Sequence, residues 1–165
     1  CRLHDVEPGV MSSGKIHKRA NIAFGVCAVS TSIILGMPSV VVAGALAGSV
    51  AGTITSPDMD LNAALPSSFM TKIPGVRIIW GTIWRPYQLI FKHRSFWSHF
   101  PIVGTTGRVL YLMLWLLGTV WILSAFGFDK TPEDMLLFIL DNGDFFAVMF
   151  LVWCIEDFTH FVLDI

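Results

Sequence analysis

Residues 43–52 read AGALAGSVAG, and this run of small side chains is expected to decide how the chain folds. Gly44, Gly48 and Gly52 recur at every fourth position, so they share one face of a helix. The alanines beside them keep that face nearly smooth, and a smooth face lets a second helix backbone approach closely. We therefore expect the helix that carries this segment to lie at the centre of a helical bundle.

The composition of the whole chain is typical of a membrane protein. The chain has 165 residues, of which 54% are hydrophobic and 14% are charged, and its mean hydropathy is +0.67. A soluble domain usually carries about 25% charged residues. Residues 11–165 are expected to form a single transmembrane domain. Residues 1–10 lack the apolar core and cleavage site of a signal peptide, and we interpret them as an N-terminal extension or an expression remnant.

Four apolar segments predict an all-α, four-span transmembrane bundle. The predicted spans are residues 20–37, 39–55, 109–128 and 145–164. Pro38 disfavours one continuous helix across the first two spans, which predicts a helical hairpin. Those two spans are short for a crossing that needs about 20 residues. Cys27 and Cys154 lie inside apolar spans and are expected to pack in the core.

The segment between the second and third spans combines aromatic, basic and aliphatic residues. The aromatic and basic residues are Trp80, Trp84, Tyr87, Arg77, Arg85 and Lys92. Aromatic rings and long cationic side chains favour the lipid headgroup region, so residues 72–94 are expected to contain an amphipathic helix that lies flat at the interface. A nucleic-acid surface would also be basic and aromatic. The neighbouring isoleucines and leucine favour contact with the lipid bilayer instead, so no nucleic acid is expected as a partner.

The ends of all four predicted spans carry histidine or aspartate, which are costly to place in apolar surroundings without a strong partner. In chain order these residues are His17, Asp58, Asp60, His93, His99, His160 and Asp164. Because successive spans cross in opposite directions, all of them are expected on one membrane face. Histidines and carboxylates gathered in one place favour a bound divalent metal. The carboxylates favour zinc or manganese over haem or chlorophyll, whose ligation by histidine needs no carboxylate.

Each of these motifs also has a purely structural interpretation. Asp58 follows a proline and fits a turn at a helix end. His93 and His99 fit interfacial positions beside basic neighbours. His160 and Asp164 are four residues apart, so they share a helix face and fit a hydrogen-bonded pair as well as a chelating one.

The basic residues predict the orientation of the bundle. The face with the histidines and aspartates also carries Lys15, Lys18, Arg19, Lys72, Arg77, Arg85, Lys92, Arg94 and Arg108. The opposite face carries Lys130 alone in this topology. By the positive-inside rule, the metal site and both termini are expected in the cytoplasm.

Several motifs, taken together and in this order, resemble those of a known protein family. They are MSSGKIH from Met11, PDMD from Pro57, WRPY from Trp84, HRSFWSH from His93, PIVGT from Pro101, RVLYL from Arg108 and HFVLD from His160. The chain resembles a family of cyanobacterial metal-binding integral membrane proteins, and is more distantly similar to the inner-membrane metal-dependent hydrolases of enterobacteria. The resemblance implies a metal site made of the residues that end the four spans. It does not supply a substrate.

Two functions fit these features. The first is a metal-dependent hydrolase at the cytoplasmic membrane surface that acts on phosphoester or lipid-derived substrates. Glu156, one turn before His160, would then be a candidate general base or an extra ligand, and Arg94 or Arg108 would hold substrate phosphate. The second is a non-catalytic subunit that the metal stabilises, and that binds a larger, possibly photosynthetic, membrane complex. Asp157 is expected to point elsewhere and to serve only as a capping charge.

Overall fold

The computed structural model describes residues 14–55, 75–91 and 100–164, which are helical apart from short turns. The helices are α1 (Gly14–Ile34), α2 (Ser39–Ile54), α3 (Val76–Ile90), α4 (Pro101–Ala125), α5 (Pro132–Asp141) and α6 (Gly143–Asp164). An all-α fold is therefore confirmed for the described part of the chain.

α1 and α2 form the predicted hairpin. The backbone N–H of Leu35 donates to the Thr31 carbonyl at 2.9 Å, which closes the last turn of α1. Gly36 follows with a φ of 62°, a conformation that residues with a side chain rarely adopt. Pro38 then begins α2 as its N-cap residue. The turn at Gly36 and Pro38 reverses the chain as expected.

The glycine face of α2 packs against α6, as the sequence predicts. A methyl group placed on Gly44 would lie 2.7 Å from the carbonyl oxygen of Phe145. One on Gly48 would overlap the carbonyl oxygen of Met149, so the two backbones touch without a side chain between them. Gly52, one turn later, faces Glu156. The residue numbers increase together on both helices, so α2 and α6 run parallel. α1 packs against both of them.

The other neighbours of α6 run antiparallel to it. His17 near the start of α1 contacts His160 near the end of α6, and Arg108 in the first half of α4 pairs with Asp157 of α6. α1 and α4 therefore begin, and α2 and α6 end, at the same end of the bundle. We call this the polar end, and the opposite end the apolar end.

α3 forms inside the segment predicted to hold an interfacial helix, but two of its aromatic rings are buried. Trp84 and Tyr87 are fully enclosed and contact Tyr111 of α4. The Tyr111 hydroxyl also donates to the carbonyl of Ile83. The expectation that Trp84 and Tyr87 lie among lipid headgroups is therefore wrong. Spacings of three and four residues place the rings on one helix face, and that face forms a core with α4.

α5 lies between the third and fourth predicted spans, where the sequence analysis assigns no helix. Thr131 and Asp134 form a capping box: the Thr131 backbone N–H donates to the Asp134 carboxylate at 2.7 Å, and the Asp134 N–H donates to the Thr131 hydroxyl at 3.2 Å. The Thr131 backbone N–H lowers the pKa of Asp134. Pro132 occupies the first turn, where a missing N–H costs nothing. The sequence TPED at residues 131–134 is therefore the pattern that marks the start of α5.

The prediction of four membrane spans is wrong in number. Among the described residues, two helices are long and apolar enough to cross a membrane, Pro101–Ala125 and Gly143–Leu163. α2 has 16 residues, which gives about 24 Å against a hydrocarbon core of about 30 Å. α1 has 21 residues, but polar and charged side chains occupy its first two turns. Only a minority of the residues of the two candidate spans are buried inside the structure, unlike those of the core helices of a soluble protein, and this favours membrane association.

The expectation that both spanning cysteines pack in the core is wrong for Cys27, which is exposed, whereas Cys154 is partly buried. The buried face of α1 carries His17, Asn21 and Gly25, each four residues from the next. Cys27 lies two residues past Gly25 and therefore points away from that face.

The contact between α2 and α6 predicts a large effect of one methyl group. Gly48→Ala should lower the free energy of unfolding by about 1–3 kcal/mol, because the added Cβ meets backbone that has no room to move. Gly118→Ala in α4 is the matched control, since a Cβ there meets nothing within 4 Å. It should leave stability unchanged or raise it by up to about 1 kcal/mol. Thermal unfolding in detergent measures both variants, and equal effects would contradict the proposed backbone contact.

Candidate metal centre

Buried polar side chains gather at the polar end of the bundle. They are His17, Asn21, Thr55, Thr105, Arg108, Glu156, Asp157 and His160. They lie on α1, α4 and α6 and in the residue that follows α2, so four segments distant in sequence contribute to one region. The structure thus brings buried polar side chains of α1, α4, α6 and the end of α2 together at one end of the bundle.

Two of the predicted ligands, His17 and His160, lie directly against each other. Their ring centroids are 4.2 Å apart and the ring planes are inclined by 30°. His17 is 4% exposed and His160 is 1% exposed, so both imidazoles are removed from solvent. Imidazole is a common ligand of zinc and other borderline divalent ions, and ligands of one ion come from separate elements in many sites. The chemistry and placement of this pair fit part of a metal centre.

The other predicted ligands cannot be compared with the structure. Asp58, Asp60, His93 and His99 lie outside the described residues, and α6 ends at Asp164, whose side chain also lies outside them. Across residues 14–55, 75–91 and 100–164, no three His, Cys, Asp or Glu side chains form a group able to hold a metal ion. The described residues therefore bring two of the predicted ligands together and form no complete metal site.

Glu156 lies one helical turn before His160 and is completely buried. A Cβ on Gly52 would overlap its Oε2 atom, and one on Gly25 would lie 3.1 Å from Oε1, so the carboxyl group fits between two glycines. It makes no ion pair with any described side chain. Its role as a general base stays a prediction, as does the substrate role of Arg94, which lies outside the described residues.

Arg108 has a partner that the sequence analysis did not assign. Its Nη2 atom donates to Oδ2 of Asp157 in an ion pair that is fully buried. The hydroxyl of Thr105, one turn before Arg108 on α4, contacts the same carboxylate oxygen. The guanidinium charge is thus balanced inside the bundle, and its predicted role in holding substrate phosphate remains untested. The signal was available, because an arginine in an apolar helix needs a counter-ion, and Asp157 lies in the other long apolar helix.

The chain belongs to a family described as uncharacterized metal-binding proteins (DUF2227), whose model matches residues 12–163. This match confirms the expected membership of a metal-binding family. The description names neither the metal nor an activity. No curated protein and no solved structure matches the chain.

The buried ion pair predicts a characteristic pattern of stabilities. Arg108→Met or Asp157→Leu alone should lower the free energy of unfolding by about 3–5 kcal/mol, because each leaves an uncompensated buried charge. The double variant should be less destabilised than either single variant, since it buries no charge. Asp144→Leu, at an exposed position near the start of α6, controls for the change of residue type. Denaturant unfolding in detergent measures the four proteins, and additive losses in the double variant would exclude the pairing.

Proposed function

We propose that this protein is an integral membrane protein that binds a divalent metal ion at the polar end and uses it to hydrolyse a substrate at the membrane surface. The observation that carries the proposal is the contact between the imidazoles of His17 and His160. These residues are 143 positions apart in sequence. Packing brings them together and buries them in a protein of a metal-binding family.

The connections between helices supply the remaining ligands in this proposal. α2 ends at the polar end, and the buried Thr55 that follows it precedes Asp58 by three residues. α4 begins at the polar end two residues after His99. We propose a site of His17, Asp58, Asp60, His93, His99, His160 and Asp164. This set of nitrogen and carboxylate oxygen donors suits zinc best, with manganese as the alternative.

The exposed surface supports integration into a bilayer. Large apolar side chains are exposed along both candidate spans, among them Leu114 and Trp121 of α4 and Leu151 of α6. An apolar surface of this extent is unusual for a soluble monomer. Lys18 and Arg19 lie beside the polar end, whereas the connection at the apolar end carries Lys130 among several carboxylates. The positive-inside rule therefore supports a cytoplasmic polar end and cytoplasmic termini.

The chemistry proposed for this site is hydrolysis of phosphoester or lipid-derived substrates. A divalent ion supplies a Lewis acid that polarises a phosphoryl or carbonyl oxygen and makes water acidic near neutral pH. Burial of His17 and His160 removes competing water from one side of the site. Arg94 would bind substrate phosphate. Arg108 and Asp157 would then hold α4 against α6, and Glu156 would accept a proton if water reaches it.

A second candidate function is that of a non-catalytic subunit of a larger membrane complex. One observation favours it: the face of α3 opposite its aromatic core exposes Ile78, Ile79, Leu89 and Ile90. These side chains would contact lipid if α3 lies at the interface, or a partner protein if the metal only stabilises the bundle. A photosynthetic complex is one such partner class under the cyanobacterial resemblance.

Metal content tests the site directly. His17→Ala and His160→Ala should each lose most of the bound metal and unfold at a lower temperature, because a remaining carboxylate ligand loses its positive partner. His4→Ala is the matched control, since His4 precedes the region that the family model matches. Elemental analysis of detergent-purified protein gives the stoichiometry. Wild-type metal content in both variants would exclude the histidine pair as ligands.

Turnover separates the two candidate functions. The metal-loaded wild-type protein should hydrolyse at least one substrate of a phosphoester and lipid-ester panel, and His160→Ala should lose at least about 10²-fold of that rate, as expected when metal catalysis is removed. Absence of turnover by metal-loaded protein, with stoichiometric association with a larger membrane complex after gentle purification, would instead support the subunit function.

Orientation is tested by cysteine labelling in a variant whose native cysteines are replaced by serine. Lys130→Cys should react with an impermeant maleimide added to intact cells, because the proposal places the apolar end outside the cytoplasm. Lys18→Cys, an exposed position near the polar end, should react only after permeabilisation. The reverse pattern would show that the polar end faces away from the cytoplasm.

A further inference from the structure

The carboxyl group of Glu156 lies in a second polar region, one helical turn deeper in the bundle than the histidine pair. It is fully buried, and neither carboxyl oxygen makes a hydrogen bond of standard geometry with a described residue. The hydroxyls of Ser49 and Thr53 on α2 lie close enough to interact with it. Two hydroxyl neighbours leave a buried carboxylate poorly compensated, so this region favours a further, positively charged partner.

Two glycines shape the space around this carboxyl group. A Cβ on Gly25 would overlap the Ser49 hydroxyl oxygen and lie 3.1 Å from Glu156 Oε1, and a Cβ on Gly52 would overlap Oε2. The Glu156 carboxyl group and the Ser49 hydroxyl therefore occupy the space that a side chain at position 25 or 52 would fill. A cavity of about 420 Å³ between α1 and α2 borders this region, with Gly25, Ser49 and Thr53 in a lining that is otherwise mostly apolar.

Asn21 contributes a further oxygen on the α1 side. It lies between His17 and Gly25 on one helix face, and these two neighbours contact His160 and Glu156 of α6. Asn21 therefore lies at the interface of α1 and α6. It is 2% exposed, and its amide oxygen has no hydrogen-bond partner among the described residues.

The donors of this region differ from those of the histidine site. They are one carboxylate, one amide oxygen and two hydroxyls, which are hard oxygen ligands that suit hard cations and give no preference for zinc. Their total charge is at most −1. A monovalent cation would neutralise this charge, whereas a divalent cation would leave an excess positive charge buried in apolar surroundings.

We propose that Glu156, Asn21, Ser49 and Thr53 bind a sodium ion between α1, α2 and α6. The ion bridges three helices at the point where the glycine contacts bring them together. It would stabilise the bundle directly below the histidine pair. The sodium site shares no residue with the seven proposed ligands of the divalent metal, and sodium bound at Glu156 would exclude this carboxylate as the general base of hydrolysis.

The test compares thermal unfolding of the detergent-purified protein in NaCl, KCl and choline chloride at constant ionic strength. We expect sodium to raise Tm by about 3–5 °C for each tenfold increase above its dissociation constant, and choline to have no effect. Equilibrium binding of ²²Na⁺ should give one ion per chain. A Tm that does not depend on the cation, with no bound ²²Na⁺, would overturn the proposal.

Variants assign the ion to these residues. Glu156→Gln should abolish both the rise in Tm with sodium and the binding of ²²Na⁺, and Ser49→Ala should weaken both. Glu133→Gln makes the same chemical change at an exposed position of α5 and should leave both responses intact. His17→Ala should lose the divalent metal and keep the sodium response. If Glu156→Gln does not fold, the proposal is tested by the ²²Na⁺ affinity of Ser49→Ala. An affinity equal to that of the wild-type protein would contradict the proposed sodium site. A sodium response lost in His17→Ala would show that the two sites are not separate.

Discussion

The backbone contact between α2 and α6 is the constraint on which the rest of the structure depends. Gly44, Gly48 and Gly52 remove the side chains that would otherwise separate the two helices. Dispersion contacts between main chains then replace the usual interlocking of side chains, and they fix the relative height of the helices to within one turn. This register places Glu156 level with Gly52 and therefore sets the height of His160, one turn further along α6. The height of the candidate metal centre is thus determined in a part of the bundle that contains none of its seven proposed ligands.

Patterns local to one segment were sufficient to predict the hairpin of α1 and α2, the central glycine face and the meeting of polar ends. These features follow from helix periodicity and from the alternation of direction between successive helices. The burial of Trp84 and Tyr87 was not predictable in this way. Aromatic and cationic residues on one helix fit lipid headgroups as well as a protein partner, and the choice depends on Tyr111, more than twenty residues away in sequence.

The sequence was sufficient to identify which residue types form the candidate site, but not which side chains pair with one another. His17 and His160 were identified because histidines at the ends of apolar segments need an explanation, and the structure brings them together. The pairing of Arg108 with Asp157 depends on which helices become neighbours, and periodicity does not specify that. The number of spans was overestimated because hydropathy alone ignores that α2 is short and that α1 begins with charged residues.

The buried ion pair also has a consequence for how the chain is made. Arg108 precedes Asp157 by 49 residues, so it leaves the ribosome well before its counter-ion exists. On insertion scales a lone arginine costs about 2.5–3.5 kcal/mol at the centre of a membrane-spanning helix and less near its end, where Arg108 lies. In a bilayer, pairing with Asp157 would remove this cost once α6 is present. The salt bridge would therefore favour the joint insertion of α4 and α6.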